Sequence, residues 1–414
     1  MAKIIPFKGL RPIPSLADRV ATLPYDVVND KEARAFRDQP YNFYHITRAE
    51  IDLPETVDVH SAEVYERAKE NLDRMVEEGI LVQDSEPCYY IYELEMDGRA
   101  QTGLICGSSV DDYNKGIIKK HEFTRPVKEL DRINHIKATR AQTGVVFLAY
   151  RDNAEIQDII ENWKLNHAPT NNFIAEDGVR HTLWVVSDYS KVGALTQLFE
   201  LSVPATYIAD GHHRAASAAK VCEEMRAMGY SIGGEEGFNY FLTCIFPESQ
   251  LKIMDYNRVV ADLSGMDEAE FLSALSVDFD VTKFEGEGAY KPRKPHEFGM
   301  YLGGNWYVLT VKPDTYSNDP IGVLDVSILQ KNVLSKLLEI HDPRTDKRVD
   351  FVGGIRGLGA LEQQVNEGDA AAAFACYPVS MEQLFDISDS GEVMPPKSTW
   401  FEPKLRDGLV IYLI

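Results

Sequence analysis

The chain has 414 residues, 44% hydrophobic and 26% charged, enough for two or three domains or for one domain with a large insertion. Its 65 acidic side chains outnumber 43 basic ones, giving a net charge of −22. Such a surface repels phosphate backbones, and without a basic run to displace counterions it argues against general nucleic-acid binding, leaving room for a local basic pocket.

In chain order, residues 1–55 are punctuated by Pro6, Pro12, Pro14, Pro24, Pro40 and Pro54. ATLPYDVVNDKEARAF reads as an extended segment, a turn and a short helix capped at Asn29 or Asp30, with Tyr25 or Asp26 available to a site wall. Residues 59–78 have apolar positions at helical spacing and stop at Gly79, and two strand-like runs around Asp97-Gly98 predict a hairpin. A charged stretch, HEFTRPVKELDR, then leads into a helix marked by Leu130, Ile133 and Ile136 and a buried strand over 145–150. A helix over about 155–167, a strand over 181–187 and a helix over about 191–200 follow. Next come a strand over 205–209, a helix from about 213 to 228 closed by Gly229, and a core strand over 240–246.

Beyond 265 the pattern is again mixed: FGMYLGGNWYVLTV as a hairpin, LDVSILQKNVLSKLLEI as a helix, AAAAFACYPV as a strand, and an ordered tail rich in aromatic residues. The stretch 286–295 is the best surface-loop or boundary candidate. The expected class is α/β, with α+β mixed sheets, in two regions, 1–264 and 265–414. Cys88, Cys106, Cys222, Cys244 and Cys376 are scattered and form no CxxC pair, a reduced, cytoplasmic pattern. No apolar run approaches roughly 18 residues and the opening MAKIIPFKGLRPIPS lacks a long apolar core, so no membrane span or export signal is expected.

YIADGHHRAASAAK, residues 207–220, carries the strongest chemistry. A strand running through Asp-Gly into a helix presents the first helical N–H groups and the positive end of the macrodipole to an anion. Gly211 allows close approach or positive φ, and Arg214 supplies a planar fork for phosphate or carboxylate. His212 and His213 add donors or proton-transfer groups. Asp210 could position a hydroxyl, hold a metal or simply cap the helix. Ala215, Ala216, Ala218 and Ala219 let the helix pack closely and fix its N-terminus.

Asp210-Gly211-His212-His213-Arg214, followed by alanines, resembles the phosphate-binding motif of the ParB/sulfiredoxin fold. The whole chain is similar to the domain-of-unknown-function family numbered 1015. The likeness also rests on LRPIP…VATLPYDVV, on HEFT…DRINHIKATRAQTGVVFLAY and on MPPKSTWFEPKLRDGLV. It implies a ParB/sulfiredoxin-like core with large insertions and a C-terminal α/β region whose tail returns to the site. Members of that fold with a D-G-H-x-R motif include kinases that phosphorylate free serine with ADP or ATP. The resemblance therefore implies Mg²⁺ with ATP or ADP, serine or phosphoserine as substrate, and no nucleic-acid or membrane partner.

Carried onto this chain, Asp210, Gly211, His212, His213 and Arg214 would hold phosphate, with Asp210 and His213 also catalytic candidates. Glu122 would activate the hydroxyl, His121 would tune it or act as the base itself, and Asp210 would be the candidate Mg²⁺ ligand. Arg125, Arg140, Lys397 and Lys404 are further candidate anion contacts. The charged stretch also reads as a salt-bridged helix face, and the tail as a surface loop packed by Trp400 and Phe401. Sulfiredoxins carry a cysteine where His212 stands, and partition proteins carry a basic helix-turn-helix, so neither activity is expected. The leading expectation is a serine kinase-like phosphotransferase. The alternatives are a nucleotide- or phosphometabolite-binding regulator and a phosphomonoester hydrolase.

Overall fold

Nine strands form the main sheet of the computed structural model, which describes residues 1–230, 234 and 236–414. They are β1 (Ile4–Ile5), β2 (Tyr89–Met96), β3 (Arg99–Ser109), β4 (Ile118–Lys119) and β5 (Val146–Tyr150), then β6 (Asn171–Ile174), β7 (Arg180–Val186), β8 (Thr206–Asp210) and β9 (Tyr240–Pro247). Asp97 and Gly98 both take positive φ, 54° and 73°, which a tight hairpin between β2 and β3 requires. The sheet order is β4-β8-β5-β9-β3-β2-β7-β6, with β1 paired to β3. β5 and β9 are buried along their whole length, as their continuous apolar runs demand of central strands. Most neighbours are antiparallel, but β8 runs parallel to β4 and β9 parallel to β5.

Helices α1 (Ala62–Glu77), α2 (Pro126–Thr139), α3 (Ala154–Asn166), α4 (Tyr189–Ser202) and α5 (His212–Ala227) accompany this sheet. Ala215, Ala216, Ala218 and Ala219 of α5 are all buried, and Ser217, fully enclosed, donates to the carbonyls of His213 (2.7 Å) and Glu129 (3.1 Å). Small side chains thus let α5 press against α2, whose Pro126 sits in its first turn, where its missing N–H costs nothing. The core beneath joins Ile91, Leu104, Leu148, Ile208 and Phe241 to Ala215 and Ala218.

Residues 1–251 with 403–414 make one compact unit and 252–402 a second. The division expected at 264 thus falls at 251/252, and 286–295 lies inside the second unit. The last twelve residues belong to the first unit: Tyr412–Leu413 pairs with Ala141–Gln142, and Thr22 bridges Asp407.

The second unit has its own six-stranded sheet: β10 (Tyr256–Val260), β11 (Phe279–Lys283), β12 (Glu297–Leu302), β13 (Asn305–Val311), β14 (Val349–Gly353) and β15 (Ala372–Ala375). Its order is β11-β13-β12-β15-β10-β14, with every pair antiparallel. The single helix expected in LDVSILQKNVLSKLLEI is α-helical only over Asp325–Leu329. From Gln330 to Ser335 it widens to a π-helix, with Leu338 N–H reaching the Val333 carbonyl. The class is mixed α/β with several sheets. Among the described residues no helix is long and apolar enough to cross a membrane.

Candidate functional site

Parallel pairing of β4 with β8 is what builds the site. Ile118 lies opposite Thr206 and Lys119 opposite Tyr207, so the chain leaves both strands at the same sheet edge. His121 and Glu122 therefore emerge beside Gly211 and His212, 91 positions later. On its other side β8 pairs antiparallel with β5, and the register shifts between Ile208 and Asp210, an irregularity of the kind that re-aims side chains next to functional sites.

Gly211 caps α5 with φ 95° and ψ 30°, a left-handed conformation natural to glycine. A Cβ there would sit 3.0 Å from Nε of Arg214. The motif thus needs glycine for both conformation and space. Asp210 accepts from Lys404 Nζ at 3.1 Å and faces the Arg214 guanidinium at 3.7 Å. Burial alone would raise its pKa, but Lys404 and Arg214 override that and hold the carboxyl well below the ordinary range.

The two histidine rings beneath are buried. His121 and His212 pack edge to face at 4.6 Å, and His212 Nε2 faces the His121 backbone N–H at 3.5 Å. Burial pushes His121 down to about 4, against the pull of Asp210, and pushes His212 well below its usual value, helped by His121. Both rings are therefore neutral at neutral pH. Glu122 Oε2 lies 3.9 Å from Nδ1 of His212 and is half exposed, with its side chain 46% accessible. His213, half buried and also lowered by burial and then by Lys128, accepts the Arg125 backbone N–H at 3.0 Å.

Arg214 is enclosed and donates to the Val145 carbonyl. Burial works against its charge, yet Asp210, Asp26 and Asp407 raise it above its ordinary value. Behind it lies a cavity of about 30 Å³ lined by Tyr25, Arg132, His135, Gly144, Arg214 and Asp407. Arg132 pairs with Asp131 at 2.6 Å and lies 3.9 Å over the Tyr25 ring. A larger cleft of about 380 Å³ shares Tyr25, Arg132 and His135 with this cavity and also borders Asp26 and Arg48.

A model of the family described as "Protein of unknown function (DUF1015)" matches residues 4–327. The chain belongs to that family. A search of the curated proteins gave no match to this DUF1015 protein. Among solved structures it is similar to a free serine kinase in complex with AMP, at 12% identity over 72% of this chain and 86% of that one, with a TM-score of 0.34. A conserved hypothetical protein from Pyrococcus furiosus is 14% identical over 75% of this chain and 95% of that one, TM-score 0.35. SbnI with a C-terminal truncation, from Staphylococcus aureus, is 12% identical over 74% and 86%, TM-score 0.38.

Of the residues singled out from the DUF1015 sequence, His121, Glu122, Arg125, Asp210, Gly211, His212, His213, Arg214 and Lys404 come together around the start of α5. Arg140 does not. It is the left-handed C-cap of α2, φ 54°, and its guanidinium meets Met225 Sδ at 3.7 Å near the far end of α5. The two helices run side by side in the same direction, and a helix of 14 residues carries its far end about 20 Å away. Lys397 lies in the second unit, 5.6 Å from the centre of the Tyr256 ring. Among the described residues no three His, Cys, Asp or Glu side chains group to hold a metal ion. Asp210, already neutralised by two cations, does not fit the role of a magnesium ligand.

Sequence reasoning missed Asp407. It is 1% exposed, with neither carboxylate oxygen hydrogen-bonded, and burial lifts it to about 7, helped by Asp26 and opposed by Arg214 and Arg132. An acid set among apolar residues in LRDGLVIYLI was the available signal.

Proposed function

We propose that this DUF1015 protein is a nucleotide-dependent phosphotransferase on a ParB/sulfiredoxin-like core, using ATP or ADP and acting on a small hydroxy amino acid of the serine or phosphoserine kind. The observation that carries this reading is the meeting of Glu122 with His212 at the open end of α5, across 90 positions of chain. An anion cradle and a carboxylate within reach of it are two of the parts that phosphoryl transfer to a hydroxyl uses.

The first amides of α5 and its macrodipole face the phosphate, and Gly211 leaves room for it. Arg214 adds a fixed cation, held by Val145 and Asp210. Glu122 accepts the proton of the acceptor hydroxyl while that oxygen attacks the terminal phosphorus. The bond to the leaving nucleotide oxygen breaks, and the charge that develops there is offset by Arg214. His121 is a positioning residue: neutral and enclosed, it seats His212. His213 ties the start of α2 to the site through the Arg125 amide.

The test is label transfer. Purified protein is incubated with L-serine and either γ-labelled ATP or β-labelled ADP, and labelled phosphoserine is expected. Inorganic phosphate released without acceptor would make it a hydrolase. A nucleotide-dependent rise in Tm without turnover would make it a binding protein. Loss of neither binding nor turnover in Arg214→Ala would overturn the cradle itself.

A further inference from the structure

The cavity behind Arg214 holds a group that phosphate binding does not use. Asp407 is fixed there by its own backbone, which exchanges two hydrogen bonds with Thr22 at 2.9 and 3.1 Å. Its carboxylate cannot turn to water, and neither oxygen makes a well-formed hydrogen bond, the Tyr25 amide being the one donor that comes near. Among the described residues no cation stands within ion-pair distance of it, and the nearby guanidiniums make their shortest contacts to other groups, with only part of their five N–H donors used there. Arg214 is bound to Val145 and faces Asp210, and Arg132 is bound to Asp131 over Tyr25.

Gly144 keeps the space open. A Cβ at that position would lie 3.0 Å from Cδ of Arg214 and 3.5 Å from Oδ1 of Asp407, filling the gap between them. Buried carboxylates without donors are rare because they forfeit hydration with nothing in exchange. A ligand that restores the exchange must bring N–H groups to Asp407 in a space of about 30 Å³. A primary ammonium is the compact group with three such donors. Two guanidiniums beside the same cavity favour an anionic group next to that ammonium. An acid and two separate guanidiniums together complement a zwitterion.

We propose that Asp407 holds the primary ammonium group of the acceptor, with the acceptor's carboxylate facing Arg132 and Arg214, so that the site selects an α-amino acid over the hydroxy acid of the same shape. This rests on the phosphotransferase reading for the reaction but not for the binding step. The neighbouring cleft, which shares Tyr25, Arg132 and His135, gives the ligand its way in.

Calorimetric titration of the full chain with L-serine, L-glycerate and AMP tests this. L-glycerate replaces the ammonium by a hydroxyl and leaves the rest unchanged. Wild type is expected to bind L-serine about tenfold or more tightly than L-glycerate, since a site built for a donor set rejects the analogue lacking it. Asp407→Asn, which keeps the shape and removes the charge, should abolish that preference while AMP affinity stays the same. Gly144→Ala should weaken L-serine by closing the cavity, which guards against a folding defect in the first variant. Equal binding of L-serine and L-glycerate by wild type, or an undiminished preference in Asp407→Asn, overturns the assignment of Asp407. If instead AMP fails to bind and L-serine preference still depends on Asp407, the phosphotransferase reading fails and the ammonium site stands.

Discussion

The two sheets of this protein do different things with the same chain chemistry. In the first unit, β4 and β8 run parallel, so segments far apart in sequence leave the sheet together and place His121, Glu122, Gly211 and His212 at one edge. Parallel strands need long connections, and here the connection carries the helices α2, α3 and α4 and the strands β5, β6 and β7. In the second unit every pair is antiparallel. The chain turns straight back, as from β12 to β13 through Gly303 and Gly304 at φ 54° and 77°. Buried charge there is spent on the fold: Arg258 donates to the carbonyls of Tyr256 and Lys397. A buried arginine is thus no mark of a site by itself. Its partners decide.

The strongest way to break this contrast is to remove the two buried arginines in turn. Arg214→Ala takes one of its two cations from Asp210 and a favourable charge from the surroundings of Asp407, and should cost about 3–5 kcal/mol of stability in urea and abolish AMP binding. Arg258→Ala should also destabilise, since three carbonyls lose their donor, but AMP affinity should stay at the wild-type value. Weakened AMP binding in Arg258→Ala would mean that the cradle is not confined to the first unit.

Two buried acids sharpen the comparison. Burial lifts both Asp407 and Asp325 to about 7, so between about pH 4 and 7 the folded chain holds protons that the unfolded chain has released. Stability from these groups is greatest at low pH, falls as pH rises through that window, and is lowest above it. Asp407→Asn should therefore raise Tm at pH 8, by an amount equivalent to roughly 2–4 kcal/mol, and change it little at pH 4. Asp325 already accepts the His296 N–H at 2.9 Å, so Asp325→Asn should give a smaller gain. A gain that grows toward acid pH would reverse the sign and refute the account.

Glycines give a finer contrast. Gly211 and Gly391 are both left-handed, with φ 95° and 77°, but a Cβ on Gly391 meets open space. Gly391→Ala should cost about 1 kcal/mol and Gly211→Ala about 2 kcal/mol or more, the second alone losing AMP binding in calorimetry. Smallest in stability is Glu122→Gln, within about 0.5 kcal/mol of wild type because the side chain is half exposed, though label transfer should fall about 100-fold.

Much of this was legible along the chain, and the reasons for the gaps are specific. The helix after Asp210 and the special role of Gly211 follow from local chemistry, and both stand within a residue of where they were expected. β4, by contrast, has two residues, too few to show any alternation. The neighbourhood of Glu122 and His212 therefore rested on a family likeness rather than on pattern. Arg140 was misplaced because periodicity marks where a helix ends, not which way its neighbour runs. Asp407 was passed over for another reason: its apolar neighbours in the tail point to burial, but the lack of a partner belongs to the packed state alone.

Insertion of residues 252–402 between two parts of one unit also sets a schedule. Asp210 and Arg214 leave the ribosome early, whereas Lys404 and Asp407 follow only after the second unit has been synthesised. At about 5–20 residues per second, the roughly 190 positions from Arg214 to Lys404 take some 10–40 s. For that interval the nascent helix carries a cradle without its closing cation or its buried acid. A ligand that needs the finished cavity is captured only once Lys404 and Asp407 have joined the first unit.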